Sequence, residues 1–224
     1  MATITGTWRS ETLIGTLNDD DIYGQAGDDT VEGRDGGDLL FGGSGDDFLW
    51  GQAGNDSFEG NAGADRLFGG AGDDFFTVYG DRSAIDKAWG GRDNDTFDIS
   101  GKGTWSQGES GSDRFLLDDP GQAYVTGGAD SDTFSITAPD IGRLDVLVSD
   151  YAAGEDVLDL TTSHGDTWEN IARFDVDGDG ALSLTGDGPC QTLADGDSAT
   201  FADGGLYLKV DSLDAFFANT DLLV

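Results

Sequence analysis

Cysteine, histidine, methionine and proline are almost absent from this chain. Its 224 residues include one cysteine, one histidine, one methionine and three prolines. A single cysteine excludes an internal disulfide, and one histidine with one cysteine cannot supply the several nitrogen and sulfur ligands of a zinc site. No apolar stretch approaches the length of about 20 residues that a membrane-spanning helix needs. The fold must therefore be stabilised without disulfides or zinc.

Basic residues are scarce as well. The chain has 11 Lys and Arg against 45 Asp and Glu, which gives a formal charge of -34 at pH 7. Nucleic acids and anionic membranes attract basic surfaces, so neither is predicted as a partner. Such acidity together with 37 glycines is typical of disorder, but 10% of the residues are aromatic and can be buried. We therefore expect divalent cations to cancel the charge repulsion when the chain folds.

A nine-residue repeat occupies the first third of the chain. Seven consecutive copies run from residue 15 to 77 and a weaker eighth copy precedes them at 6–14. Each copy begins with glycine and has an acidic residue at position 6 and a large apolar residue at position 8. The glycines at positions 1 and 4 favour a tight turn, and the last three residues favour a short strand with its central side chain inward. Two copies then form one coil, and the period predicts an all-β fold, a flattened parallel β-roll.

Stacked coils place the acidic residues in rows along the two edges of the predicted roll. Carboxylates about 5 Å apart repel each other by about 3 kcal/mol at an effective dielectric near 20. A hard cation between successive turns reverses this term, and oxygen ligands in a glycine-rich turn suit Ca²⁺ better than Zn²⁺ or Mg²⁺. The candidate metal ligands of this regular block are Glu11, Asp20, Asp29, Asp38, Asp47, Asp56, Asp65 and Asp74.

Three separated copies continue the pattern after residue 77. They span 90–98, 108–116 and 127–135 and place the candidate ligands Asp95, Asp113 and Asp132 at position 6. The spacings of 18 and 19 residues between these aspartates indicate that one edge of the roll keeps its metal turns while the other becomes irregular. Asp93 and Asp130 replace the glycine of position 4, so the shape of these turns is open.

The segments GGSGDDFLW (Gly42–Trp50) and GGAGDDFFT (Gly69–Thr77) resemble the haemolysin-type calcium-binding nonapeptides of the RTX (repeats-in-toxin) family. This resemblance implies a right-handed parallel β-roll with Ca²⁺ in its turns. The stretch Val148–Leu160 is similar to the last roll segment of serralysin-type secreted proteins, with Asp156 at position 6. The H-E-x-x-H motif of their protease half is absent from the chain.

We expect two parts, a calcium-binding roll at 1–160 and a C-terminal cap at 161–224. The roll divides into the regular repeats at 6–77 and an irregular block at 78–160. In the cap, the sequence DVDGDGALSLTG at 175–186 resembles an EF-hand loop, although its last residue is glycine in place of glutamate. The alternative is an acidic β-turn. The candidate ligands of this loop are Asp175, Asp177 and Asp179.

Export is indicated by the end of the chain. The N-terminus lacks the basic and apolar regions of a secretory signal peptide, whose absence alone would favour the cytoplasm. The ending TDLLV behind RTX-like repeats resembles an uncleaved type I secretion signal, which implies a type I exporter as partner and an extracellular location. In the cytosol, where Ca²⁺ is scarce, such a chain would stay unfolded, and outside it would fold on roughly ten Ca²⁺ ions.

No catalytic activity is predicted. His164 has no nucleophile elbow beside it, and Cys190 is typical of a loop thiol. The alternative function is a calcium-dependent carbohydrate-binding or adhesion module, in which outward aromatic residues such as Phe48 and Trp50 stack on an extracellular polysaccharide. The same rings could instead be covered by another element or by self-association.

Overall fold

Every regular element in the described part of the chain is a β-strand. The computed structural model describes residues 1–80, 84–101, 103–118, 122–138, 144–150, 156–162, 181–183 and 206–209. In chain order the strands are β1 (Thr3–Thr5), β2 (Thr12–Ile14), β3 (Asp21–Ala26), β4 (Thr30–Asp35), β5 (Leu39–Ser44), β6 (Phe48–Ala53), β7 (Ser57–Ala62), β8 (Arg66–Ala71), β9 (Phe75–Gly80), β10 (Asp86–Arg92), β11 (Thr96–Gly101), β12 (Thr104–Ser110), β13 (Arg114–Asp118), β14 (Gln122–Ala129), β15 (Thr133–Ala138), β16 (Leu144–Val148), β17 (Val157–Thr162), β18 (Ala181–Ser183) and β19 (Leu206–Lys209). Among these residues there is no helix long and apolar enough to span a membrane.

The strands alternate between two sheets as the chain advances. The odd-numbered strands from β1 to β17 form the first sheet in chain order, and the even-numbered strands from β2 to β16 form the second, which β19 and β18 extend. Neighbouring strands are parallel, except that β18 pairs antiparallel with β19. In the regular block the register joins residues 18 apart, such as Ile22 with Leu40 and Leu40 with Phe58. The chain is therefore a parallel β-roll, which confirms the fold that the nine-residue period predicts.

The core consists of inward side chains stacked in one column on each sheet. Position 8 of every second copy supplies one column, as predicted, because side chains alternate between the two faces of a strand. The first-sheet column contains Ile22, Leu40, Phe58, Phe76, Phe97, Phe115 and Phe134, and the second-sheet column begins with Leu13, Val31, Leu49 and Leu67. Successive phenylalanine rings of the first column are stacked with centroids 4.7–5.0 Å apart. Each stacked pair contributes about 0.5–1.5 kcal/mol beyond the burial of its area.

One edge of the roll changes its composition at residue 78. Thr77 pairs with Glu59, so Val78 takes the place that Gly60 holds one coil earlier. Three more apolar residues follow Val78 in register, and all four side chains are buried. They are Val78, Ile99, Leu117 and Ile136. The later coils therefore have a wider apolar core on this side, where the earlier coils have a glycine turn.

Candidate metal centre

Each position-6 aspartate is held by a backbone donor from the preceding coil. The N–H of Asp38 donates to Oδ1 of Asp56 at 2.7 Å, and the N–H of Asp56 donates to Oδ1 of Asp74 at 2.8 Å. The same bond recurs along both edges and defines two ladders. The long ladder, in turns that lead from the second sheet to the first, is Asp20, Asp38, Asp56, Asp74, Asp95, Asp113, Asp132 and Asp156. The short ladder, in turns that lead from the first sheet to the second, is Glu11, Asp29, Asp47, Asp65 and Asp86.

Asp86 is a member of the short ladder that the sequence did not reveal. The N–H of Asp65 donates to Oδ1 of Asp86 at 3.0 Å. Because Asp86 lies 21 residues after Asp65, a search with a strict period of 18 misses it. Counting back from Gly90 would have found it, because four residues separate positions 6 and 1 of successive repeats. In the following coils Thr104 and Ala123 occupy this place in register. Because neither side chain is a carboxylate, the short ladder ends at Asp86.

The second carboxylate oxygen of most ladder residues is buried and accepts no hydrogen bond. A buried polar atom without a partner is unfavourable, and a buried charge is more so. These atoms are the Oδ2 oxygens of Asp29, Asp38, Asp47, Asp56, Asp65, Asp74, Asp95 and Asp113. Each lies beside the position-1 glycine of its own repeat. A β-carbon on Gly42 would overlap Oδ2 of Asp47, for example, so the absence of a side chain creates the space around that oxygen.

The donor set around these oxygens is made of oxygen atoms. Within the described ranges, no three His, Cys, Asp or Glu side chains converge on one point. Successive carboxylates of a ladder belong to different coils, so a cation between two turns would take at most two of them and complete its shell with backbone carbonyls. Mixed carboxylate and carbonyl coordination in a flexible turn suits Ca²⁺. The buried Oδ2 atoms and their glycine cradles therefore fit Ca²⁺.

The turn backbone is the same in both blocks of the roll. Position 4 has positive φ in the glycine-containing turns, for example 125° at Gly45. Asp93 and Asp130 take the same position with φ of 76° and 77°. Aspartate tolerates this left-handed region better than most residues. The replacement of glycine by aspartate, which left the shape of these turns open, therefore keeps the turn geometry.

The nonapeptides of this protein also match a described family. A profile of the RTX calcium-binding nonapeptide repeat (4 copies) matches residues 5–40 and again residues 41–76. The two stretches coincide with the regular coils that carry the first four members of each ladder. The chain is an RTX-type β-roll repeat protein. Among curated proteins, no significant match to it is found.

The RTX repeat binds Ca²⁺, and its β-roll is a structural, non-catalytic repeat domain. The chain therefore contains calcium-binding RTX repeats, whose aspartates contribute to the acidic excess of the sequence. The match also names the ion that the predicted aspartate rows would bind, since the repeat is described as calcium-binding.

The side chains at position 5 of the RTX repeat form a second, outer ladder, in which the direction of hydrogen-bond donation between coils is reversed. Here the N–H of the later coil donates to the side chain of the earlier one, as from Asp46 to Oδ1 of Asp28 at 3.0 Å and from Ala64 to Oδ1 of Asp46 at 2.9 Å. Asn94 bonds Asp73 in the same way at 2.9 Å. The two acidic residues of a D-D pair therefore have different roles, and those at position 5 lie at the surface.

Burial raises the pKa of the inner carboxyls of the RTX roll. Desolvation is the main cause, neighbouring carboxylates add to it, and the backbone N–H donor from the preceding coil opposes it. The pKa is raised to about 7 at Asp47, to about 8 at Asp56 and Asp95, and to about 6 at Asp113. Asp20 differs, because the N–H of Thr16 holds its pKa below the ordinary value.

Acidification should therefore promote folding of the RTX roll without metal. Between pH 4 and 8 the folded roll binds more protons than the unfolded chain, since its carboxyls have raised pKa values. Its free energy of unfolding then rises as the pH falls, and this stabilisation is lost as the pH rises through about 6–8. We expect far-UV circular dichroism in EGTA to show more β-structure at pH 5 than at pH 8, with light scattering to detect aggregation. Equal or lower β-content at pH 5 would contradict this.

Several predicted residues of the RTX protein lie outside the described part of the chain. They are Asp175, Asp177 and Asp179 of the EF-hand-like loop, together with His164, Cys190 and the ending TDLLV. Of the loop itself, only Ala181–Ser183 is described, as strand β18. The predictions made for these residues stay predictions.

Proposed function

We propose that this RTX protein is secreted by a type I exporter and folds outside the cell when its two ladders take up Ca²⁺. The row of buried Oδ2 atoms without hydrogen-bond partners is the observation that supports this most directly. The proposed ligands in the roll are Asp29, Asp38, Asp47, Asp56, Asp65, Asp74, Asp86, Asp95, Asp113, Asp132 and Asp156. The C-terminal loop would add Asp175, Asp177 and Asp179.

Without ions, the roll is destabilised by its buried carboxylate oxygens and by charge repulsion. Each buried oxygen that lacks a partner destabilises the fold by about 1–3 kcal/mol, and more if the group is charged. Eight such atoms are together comparable with the whole stability of a typical domain, about 5–15 kcal/mol. A chain with a formal charge of -34 also repels itself when it becomes compact. Ca²⁺ removes both terms at once, so ion binding and folding are coupled.

Coupling of folding to Ca²⁺ binding would assist secretion. RTX repeat proteins are typically secreted. A chain that needs millimolar Ca²⁺ stays unfolded in the cytosol, where the ion is scarce, and an unfolded chain can pass through a narrow exporter. Outside, ligand binding to the folded state alone shifts the equilibrium towards the roll. The proposal assigns no catalytic activity, because the described carboxylates are held at ladder spacing by backbone donors.

The aromatic residues on the outer face of the second sheet bear on the alternative function. Their rings stack on one another, with centroids 4.9 Å apart for Phe48 and Phe68 and 4.4 Å apart for Phe68 and Trp89. The planes of the second pair differ by 2°, so these rings cover each other's faces. A sugar ring stacks on a free aromatic face, which the covered faces of Phe68 and Trp89 do not present, whereas Trp50 is 46% exposed. The geometry therefore favours Ca²⁺-dependent folding over polysaccharide binding as the main function.

The folding part of the proposal is tested with the full chain in excess EGTA and in millimolar Ca²⁺. We expect far-UV circular dichroism to change from disordered to β-type on Ca²⁺ addition and tryptophan fluorescence to shift to the blue. Equimolar Mg²⁺ is the control and should have little effect, because Mg²⁺ demands near-octahedral geometry. A metal-free chain that is already folded at pH 7.5, and that Ca²⁺ does not change, would refute the proposal.

The export part is tested in a bacterial host that carries a type I exporter. The full chain should accumulate in the medium, and a variant without the last five residues, TDLLV, should remain in the cells. The matched control is the same host without the exporter. Export that is equally efficient without the exporter would contradict this part of the proposal.

A further inference from the structure

We infer that the first two turns of the roll are metal-free caps and that the calcium ladders begin at Asp29 and Asp38. In this assignment Glu11 and Asp20 occupy the ligand position of the repeat but bind backbone and hydroxyl donors in place of Ca²⁺. The inference rests on the proposed function, because it states which turns take the ions.

In the turn of Asp20, both carboxylate oxygens accept a hydrogen bond. The N–H of Thr16 donates to Oδ2 at 2.6 Å and the N–H of Ala2 donates to Oδ1 at 2.5 Å. The amino group of Met1 adds a positive charge 3.9 Å from Oδ1. In the next turn of the same ladder, Oδ2 of Asp38 is buried without a partner. The two turns therefore differ in the one atom that a cation would take.

The turn of Glu11 is closed in the same way. The N–H of Thr7 donates to Oε2 of Glu11 at 2.6 Å, and the hydroxyl of Thr7 donates to Oε1 at 3.0 Å. The threonine hydroxyl also accepts a bond from the N–H of Arg9 at 3.3 Å. One threonine thus donates a hydrogen bond to each carboxylate oxygen and stabilises the turn at the same time.

The backbone explains why these two turns differ from the turns of Asp29 and Asp38. Position 2 has positive φ in the later turns, for example 85° at Gln25 and 81° at Gln52, whereas Thr7 and Thr16 are outside that region. A β-branched residue rarely adopts positive φ. Position 4 is Arg9 in the first repeat and asparagine in the second, where the later copies have glycine or aspartate with positive φ. With both positions in ordinary conformations, the turn directs its position-2 N–H at the carboxylate.

The position of these turns makes the arrangement useful. They belong to the first coil and the start of the second, and the N–H of Ala2, 18 residues before Asp20, holds Oδ1 of Asp20 as in the later turns. At Oδ2 of Asp20 and at both carboxylate oxygens of Glu11, local donors from Thr16 and Thr7 take the place of the ion. The N-terminal end of the roll is therefore closed without Ca²⁺.

The number of bound Ca²⁺ ions tests the assignment, measured by equilibrium dialysis with ⁴⁵Ca²⁺ and by titration calorimetry on the full chain. Glu11→Gln and Asp20→Asn should bind as many ions as the wild type. The matched variants Asp38→Asn and Asp56→Asn, on the same edge as Asp20, should each bind at least one ion fewer. The double variant Thr16→Gly, Asn18→Gly restores the glycine pattern of the Gly42–Asp47 turn and should gain one ion.

The outcomes separate this inference from the proposed function. Loss of an ion in Asp20→Asn or Glu11→Gln overturns the assignment of caps, even though the protein still binds Ca²⁺. A folded double variant that gains no ion overturns the role given to Thr16 and Asn18. If the wild type binds no Ca²⁺, or Asp56→Asn loses none, the proposed function itself fails. Circular dichroism of each variant in saturating Ca²⁺ shows that the counts refer to folded protein.

Discussion

Replacing Gly60 by alanine should lower the number of bound Ca²⁺ ions by one or two and destabilise the loaded roll. A β-carbon at this position would overlap Oδ2, Cγ and Cβ of Asp65. Overpacking of this kind destabilises a protein by about 1–3 kcal/mol. Asp65 also belongs to two intervals of the short ladder, towards Asp47 and towards Asp86, so its displacement affects the ions in both. Calorimetric titration gives the stoichiometry, and urea unfolding in saturating Ca²⁺ gives the stability.

Gly37→Ala is the matched control for this experiment. Gly37 is at position 5 of its repeat, and a β-carbon there would meet only the backbone carbonyl group of Asn55. Ala64 occupies the same position three repeats later, on the other edge of the roll, which shows that alanine is tolerated at position 5. This variant should keep the wild-type ion count and change stability by less than about 0.5 kcal/mol. If Gly60→Ala binds as many ions as Gly37→Ala, the glycine cradle is not part of the site.

The sequence predicts the regular coils well because one period determines strand, turn and register together. A residue of fixed position stacks on its equivalent 18 residues later, so Ile22, Leu40 and Phe58 could be placed in one column before the structure was known. The same logic places the aspartates in rows. It needs no long-range information, since each coil of a solenoid contacts only its neighbours.

The irregular block shows where a strict period stops being informative. Inserted residues shift Asp86 by three positions, so a strict period of 18 misses it, although the hydrogen bond from the N–H of Asp65 continues the short ladder to it. The ladder then ends because Thr104 and Ala123 occupy the next two places in register. Apolar side chains fill the space beside the turn, so the core gains packing where it loses a carboxylate site.

The sequence also could not predict which groups donate and which oxygens accept the hydrogen bonds of the ladders. A row of carboxylates indicates repulsion, whereas in the roll each Oδ1 accepts a backbone N–H from the preceding coil, as in the pair Asp38 and Asp56. Only the second oxygen is left for a cation. For the same reason the sequence could not distinguish Asp20 from Asp38, because the difference depends on the backbone conformation of Thr16 and on its N–H.

Replacing Phe97 by alanine should destabilise the calcium-loaded roll by about 3–5 kcal/mol, as expected for removal of a fully buried phenylalanine. Its ring is inaccessible to solvent and lies between Phe76 and Phe115, with centroids 4.8 and 4.7 Å away. The substitution therefore breaks two stacked pairs and leaves a cavity in the column. Urea unfolding in saturating Ca²⁺ measures the effect.

Phe75→Ala is the control, because it removes the same atoms from a side chain that is 41% exposed on the outer face of the first sheet. It should change stability far less, and equal effects of the two variants would contradict the proposed core column. Phe97→Ala should also alter the shape of the transition. In a solenoid each coil contacts only its neighbours, so a cavity at position 97 weakens the coupling between the coils on either side of it. Unfolding monitored by fluorescence and by circular dichroism should then give separate midpoints, whereas the transitions of Phe75→Ala should coincide.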